Sequence, residues 1–173
     1  MIITISGKPG AGKTTIAKNL SVITGLPYYS IGDLKGKLAQ ARGMTIDEFS
    51  IKVSSEEVHK KVDEYQEELG KRESAFIVDG WMSWHFIPHA FKVFLDVDAT
   101  EGARRVMNDL RGSDEPHYTT IEECKKTLKE RYERTRRQTM KIYDGADYDN
   151  KKNYDLVLDT TKITPDDVVR EIL

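Results

Sequence analysis

The sequence predicts an α/β fold in three layers, with a parallel five-stranded sheet carrying helices on both faces. Two observations predict it. Five short apolar runs, at 2–6, 26–31, 75–79, 92–96 and 156–159, alternate with stretches of helical spacing. The runs at 75–79 and 92–96 are apolar almost throughout, as expected of strands buried on both faces of a parallel sheet.

The elements follow in order. Ile2-Ile3-Thr4-Ile5-Ser6 is β-branched and reads as a buried strand. A helix from Thr14 to about Ile23 places Ile16, Ala17, Leu20 and Ile23 on one face, and Gly25 stops it. The run 26–31 is a short second strand, followed by Gly32-Asp33 and a helix from Leu34 to Ala41 that Arg42-Gly43 closes. Thr45 as N-cap and Glu48 three residues on predict a short helix through Phe49. Ser54-Ser55 opens a longer helix with Val58, Val62, Tyr65 and Leu69 at helical spacing, ended by Gly70. After the third strand comes an aromatic stretch containing Trp81, Trp84, His85, Phe86, His89 and Phe91. Phe86 and Phe91 read as core, and Trp81 as either core or a base-stacking wall. The two histidines read as surface or packing residues.

Past the fourth strand, Ala99 to Leu110 is helical and 111–119 is a polar loop broken by Gly112, Ser113, Asp114 and Pro116. Thr120 opens a long charged helix to about Ile142, laced with Glu122–Lys126, Glu130–Arg134 and Glu133–Arg137 pairs. A turn-rich connection, 144–153, leads to the last strand. Thr164-Pro165 caps and starts the final helix.

Length and composition bound the function. The 173 residues suit one domain, 1–173, with a real core. Hydrophobic residues at 38% and charged residues at 32% suit a soluble protein, and a net charge of −2 speaks against general nucleic-acid binding. A single cysteine, Cys124, rules out an internal disulfide and a cysteine-based zinc cluster, and reads as a packed helix residue. With no leader-like segment and no apolar run of spanning length, the expectation is a cytoplasmic monomer with no membrane partner.

The stretch after the first strand carries the chemistry. Gly7-Lys8-Pro9-Gly10-Ala11-Gly12-Lys13-Thr14 fits G-x-x-x-x-G-K-[ST], a phosphate-binding loop, in the required strand–turn–helix context. The glycines let backbone N–H groups turn toward phosphate oxygens, Lys13 reaches the β- and γ-phosphates, and the Thr14 hydroxyl can ligate Mg²⁺. The following helix, Thr15 included, presents its N-terminal dipole to the same anion. ATP and Mg²⁺ are the expected cofactors.

In a parallel sheet of this kind the ligand sits at the carboxyl ends of the strands. Asp79, closing the third strand, is there a candidate for Mg²⁺ opposite Thr14, followed by Gly80 and Trp81. Gly80 stands where many ATP-driven motors place a Glu. No Asn-Lys-x-Asp guanine-reading motif occurs, since Asn150-Lys151-Lys152-Asn153 ends in Asn. Both features favour phosphoryl transfer to a small molecule. Asp33, after the second strand, either orients an acceptor or N-caps the next helix. Candidate phosphate-holding cations fall in three groups: Lys35, Lys37 and Arg42; Arg104, Arg105 and Arg111; and Arg131, Arg134, Arg136 and Arg137. Arginines on both sides of the 111–119 loop suggest a lid, with Arg111 and one or two of the last group on phosphate.

The chain resembles the short cytidylate kinases of archaeal type, within the nucleoside monophosphate kinase group of P-loop NTPase folds. The likeness runs nearly end to end. It is carried by the N-terminal strand and loop, by Gly25-Leu26-Pro27-Tyr28-Tyr29-Ser30-Ile31-Gly32-Asp33-Leu34, by Arg42-Gly43-Met44-Thr45-Ile46-Asp47-Glu48-Phe49, and by Asn153-Tyr154-Asp155-Leu156-Val157-Leu158-Asp159-Thr160-Thr161. The resemblance implies a core, a helical monophosphate-binding insert (about 32–70) and a short lid (about 111–119). It implies transfer of the ATP γ-phosphate to CMP or dCMP, with Lys13 and Thr14 serving ATP and Mg²⁺. Asp33 and Asp79 then border acceptor and metal, and the loop at 160–162 lies near the adenine. The catalytic set expected is Lys13, Asp33, Asp79, Arg111 and Arg131, with Lys35, Lys37, Arg42, Asp79, Gly80 and Trp81 toward the acceptor. The chain departs from the family pattern at Gly36 and Trp81, where such enzymes usually carry Arg, and at Arg134-Thr135 and Gln138-Thr139 on the post-lid helix. The residues leave two other readings: a kinase of a neutral hydroxyl-bearing metabolite with Asp33 as base, and a non-catalytic ATP-binding protein.

Overall fold

Five parallel strands in the order β2-β3-β1-β4-β5 form the centre of the computed structural model. Residues 1–44, 48–49, 56–108 and 118–173 are described. The strands are β1 (Ile2–Gly7), β2 (Tyr28–Ser30), β3 (Phe76–Asp79), β4 (Phe91–Asp96) and β5 (Leu156–Asp159). The helices are α1 (Lys13–Thr24), α2 (Ile31–Gln40), α3 (Glu56–Arg72), α4 (Ser83–Phe86), α5 (Ala99–Asn108), α6 (Ile121–Ile142) and α7 (Pro165–Ile172).

Both sheet faces are covered, as apolar β1 and β3 require. On one face Ile16, Ala17 and Leu20 of α1 and Val168, Val169 and Ile172 of α7 pack on Ile3, Ile5, Ile77, Val93 and Leu95. On the other, Ile31 of α2 and Val62 and Leu69 of α3 pack on Ile2, Phe76 and Val78. Cys124 is buried between α6 and α5 beside Ala103 and Leu128, the packing role expected of it.

Several local expectations are corrected. Ile23 is 61% exposed and lies outside the cluster that Ile16, Ala17 and Leu20 join. The second strand is shorter than 26–31: Ser30 accepts from the Asp33 N–H at 3.2 Å, so the helix starts at Ile31, not Leu34. That bond makes Ser30 the N-cap and leaves Asp33 in the first helical turn. α3 runs through Gly70 to Arg72, and Tyr65 stays at the surface. Phe91 is 36% exposed at the start of β4, not core. Among the described residues, the ion pairs within α6 are Glu122–Lys125 at 3.8 Å and Glu133–Arg136 at 4.0 Å, both at three-residue spacing. Thr45, Ser54 and Ser55, and the 111–117 part of the polar loop with Arg111, lie outside the described residues.

Register brings the chemistry to one rim. Ser30 and Ile5 both lie level with Asp79, Gly7 with Leu95, and Asp96 with Asp159. The carboxyl ends of all five strands thus open onto the start of α1.

Candidate nucleotide site

The loop from Gly7 to Gly12 is built around close backbone approaches. A Cβ on Gly10 would stand 2.3 Å from the Gly102 carbonyl oxygen, and Gly10 has φ +75°. A Cβ on Gly102 would in turn stand 2.9 Å from the Pro9 oxygen, so the glycine pair lets α5 pass directly against the loop. The Lys8 N–H donates to Leu95 O at 3.0 Å, tying the loop to β4. The Lys8 ammonium pairs with Asp96 at 2.7 Å, so this side chain braces the loop against β4. Gly12, at φ +87°, is the N-cap of α1 and offers no side-chain cap. The first-turn N–H groups, those of Thr14 and Thr15 among them, therefore lack the usual intrahelical and capping partners.

Lys13 Nζ donates to Gly7 O at 3.0 Å and Lys8 O at 2.9 Å, holding the ammonium over the loop's own concavity. Thr14 Oγ1 donates to Asp79 Oδ2 at 2.9 Å. Asp79 is 5% exposed, and its Oδ1 is buried without a hydrogen-bond partner. An orphaned carboxylate oxygen beside a threonine hydroxyl is an all-oxygen donor set that suits a hard divalent cation. The residues present therefore fit the Mg²⁺ that the loop motif implies.

Tyr28 joins this corner. It alternates with Tyr29 along β2, so Tyr28 and Ser30 share the sheet face on which Asp79 stands. Its hydroxyl is buried and unpartnered, and its pKa is pushed up to about 12, first by burial and then by the Asp79 carboxylate. Ser6 Oγ donates to Gly80 O at 2.8 Å and fixes the turn after Asp79.

Arg105 closes the other side of the loop. Its guanidinium donates to Gly10 O at 3.4 Å, Thr160 Oγ1 at 3.2 Å and Thr160 O at 2.7 Å, and its Nε to Glu101 at 2.8 Å. Thr160 Oγ1 also bonds Ala11 O at 3.2 Å. One cation thus ties the phosphate-type loop to the turn after β5.

A second group lies between the helices after β2 and the long α6. Lys35 on α2 is only partly exposed and makes no hydrogen bond or ion pair with a described residue. Burial pulls its pKa down, Asp63 of α3 opposes that, and the nearby Arg131 of α6 pulls it down further. Asp63 is raised by burial, against the opposing effects of the Tyr143 hydrogen bond and of Lys35. Tyr143 Oη donates to Asp63 Oδ2 at 2.6 Å.

The remaining candidates separate. Lys37 and Asp33 are exposed. The Arg42 guanidinium stacks 5.6 Å from the Phe49 ring. Arg104 pairs with Glu101 at 2.7 Å on the surface. Arg136 grips Asp147 through two bonds, at 2.8 and 2.6 Å, and so anchors the segment after α6. Trp81 stacks on Tyr148 at 5.4 Å with rings 19° apart and meets Tyr132 edge-on. That packing favours core over a base-stacking wall for Trp81, since one indole face is taken. Phe86 packs in the same aromatic cluster.

Sequence reasoning did not single out Tyr28, Asp63 or Tyr143. The signal for Tyr28 was its two-residue spacing from Ser30. The signal for Asp63 was a carboxylate flanking the Val62, Gln66 and Leu69 stripe of α3.

Comparison with known proteins agrees with this architecture. A shikimate kinase from Bacteroides thetaiotaomicron superposes with a TM-score of 0.65 at 14% identity, covering 99% of this chain and 96% of its own, a likeness of fold. Proteins named cytidylate kinase match along nearly the whole sequence. That of Archaeoglobus fulgidus is 34% identical, covering 100% of this chain and 93% of its own length. That of Pyrobaculum aerophilum is 33% identical, over 98% and 89%. The cytidylate kinase-like family matches residues 2–162. The chain belongs to the cytidylate kinase-like family.

Proposed function

We propose that this protein transfers the γ-phosphoryl group of ATP to a nucleoside monophosphate, with CMP or dCMP as acceptor. The observation that carries this reading is Lys35, a recessed cation without a bonded partner, beside Arg131. Burial and the nearby Arg131 both work against the Lys35 ammonium, and an anionic guest would relieve that. In this reading Lys35, directly before Gly36 on α2, and Arg131 on α6 take the part of the arginines that such kinases usually carry at Gly36 and Trp81. α2 begins level with Asp79, and Ile31 lies against Gly80, where an added Cβ would meet Ile31 Cγ1 at 2.8 Å. The acceptor group therefore adjoins the corner formed by Thr14 and Asp79.

In this reading Lys13 leaves the Gly7 and Lys8 carbonyls for the β- and γ-phosphates. Thr14 and Asp79 hold Mg²⁺, which neutralises phosphate charge when bound. Lys35 and Arg131 orient the acceptor phosphate, and Asp33 stands at the mouth. The segments 32–70 and 111–119 act as acceptor-binding insert and lid. The relatives named cytidylate kinase support the choice of base.

The test is ADP release with Mg·ATP against CMP, dCMP, UMP, AMP, GMP and no acceptor. Turnover restricted to CMP or dCMP is expected. ATP binding without acceptor-dependent turnover overturns the reading and directs attention to hydroxyl acceptors, including those of shikimate-kinase type, or to a non-catalytic role.

A further inference from the structure

Gln66 is 1% exposed in the apolar stripe of α3, between Val62 and Leu69. Those two pack with Phe76, Val78 and Ile87 on the sheet face away from α1. A buried amide there costs free energy unless it is hydrogen-bonded, and an apolar side chain of similar shape is cheaper to bury. Its partner is the fully buried Ser83, whose Oγ donates to Gln66 Oε1 at 2.8 Å. Gln66 Nε2 donates to Val62 O at 3.3 Å, which sets the orientation of the amide. The phosphoryl transfer described above uses neither residue.

The pair reaches the corner of Thr14 and Asp79 through the turn after β3. Ser83 Oγ lies over Gly80, the residue directly after Asp79: a Cβ added to Gly80 would stand 2.5 Å from that oxygen. From the other side β1 holds the same turn. The Gly80 N–H donates to Ile5 O at 3.1 Å, and Ser6 Oγ donates to Gly80 O at 2.8 Å. The turn is thus pinned between β1 and α3, with the Asp79 carboxylate at its start. Thr14 fixes one carboxylate oxygen, Oδ2, so the aim of the orphaned Oδ1 depends on how the backbone is held. A hydrogen-bonded pair in a low-dielectric interior favours one arrangement, where an apolar contact tolerates several.

Resting on the kinase reading above and its Mg²⁺ site, we infer that Gln66 is a positioning residue for the divalent cation: acting through Ser83, it fixes the turn that aims the Asp79 carboxylate. It touches neither substrate nor metal. The insert helix α3 thereby takes part in shaping the donor site as well as packing on the sheet.

The experiment measures the Mg²⁺ concentration for half-maximal ATP binding by titration calorimetry, together with Tm. The double variant Gln66→Met with Ser83→Ala removes both partners and leaves neither unpaired, so its Tm is expected to stay close to that of the wild type. Its Mg²⁺ midpoint is expected to rise about tenfold, the lower end of the loss when a group behind a metal ligand is removed. A pair that serves packing alone moves Tm at most, so an unmoved midpoint in the folded double variant overturns the inference. Ser83→Ala by itself breaks the same bond with a smaller loss of volume. Should the double variant fail to fold, a raised midpoint in Ser83→Ala supports the inference and an unchanged one overturns it. ATP binding by the wild type that ignores Mg²⁺ also overturns it, and acceptor-dependent ADP release then decides separately whether the kinase reading stands.

Discussion

Thr14 Oγ1 donates to Asp79 Oδ2 at 2.9 Å, joining residues 65 positions apart in the chain and leaving Asp79 Oδ1 buried with no partner. A buried carboxylate oxygen without a hydrogen bond is costly, and a divalent cation offsets that cost. Asp79→Asn is therefore expected to lower kcat by about 10²–10³-fold, the usual loss for one preorganised electrostatic group. It should also raise the Mg²⁺ concentration needed for half-maximal ATP binding, read by titration calorimetry. Tyr28→Phe should leave the fold intact and shift the same Mg²⁺ midpoint by a smaller factor, because its hydroxyl faces that carboxylate.

Lys35 should trade stability for binding. Burial and Arg131 pull its pKa down, so the folded state resists the charge that the unfolded chain carries freely. The sign follows: with the native pKa below the unfolded one, protonation at neutral pH opposes folding, and that penalty fades as pH rises through the native value. Lys35→Met is expected to raise Tm. It should also raise the acceptor KM by about 10–100-fold, matching about 1.5–3 kcal/mol for a charged hydrogen bond, with the KM for ATP unchanged.

Arg105 should act on the donor side alone. It holds Gly10 O, Thr160 Oγ1 and Thr160 O together, so its removal loosens the loop and the turn after β5 at once. Arg105→Ala is expected to raise the ATP KM by about tenfold, about 1.4 kcal/mol. The acceptor KM should hold. Parallel initial-rate series in each substrate separate the two effects.

Arg136 and Asp147 give an acid-sensitive anchor. The Arg136 hydrogen bonds hold the Asp147 carboxyl below its ordinary value against the effect of partial burial. A lowered native pKa means the stabilisation is fully present above the unfolded pKa, about 3.9. It is lost as pH falls through the native value. Asp147→Asn is expected to cost about 1–3 kcal/mol in urea unfolding at pH 7, from a charged hydrogen-bonded pair. The difference from wild type should begin to shrink as pH falls below about 4.

Much of the fold was legible in the order of residues. The loop from Gly7 to Thr14 could be read because its function needs fixed residue types at fixed spacing, and backbone geometry enforces both. The buried strands could be read because burial on two faces demands unbroken apolar runs. Element ends were less legible. Ser30, not Asp33, caps α2, and α3 passes through Gly70, since caps are chosen by local bonds that several nearby residues can supply.

The order of residues alone specifies the sheet, the phosphate-type loop and the placing of a strand-ending Asp79 opposite Thr14. These rest on periodicity and short-range spacing. Which charges meet is settled by packing in three dimensions. It set Lys35 beside Arg131, left Lys37 in solvent and gave Arg136 to Asp147. It laid Trp81 on Tyr148, and joined Asp63 to Tyr143 across 80 positions of sequence. A long charged helix looks alike on every side until packing turns one face inward. The electrostatic cost of each group depends on that burial, which no local pattern encodes.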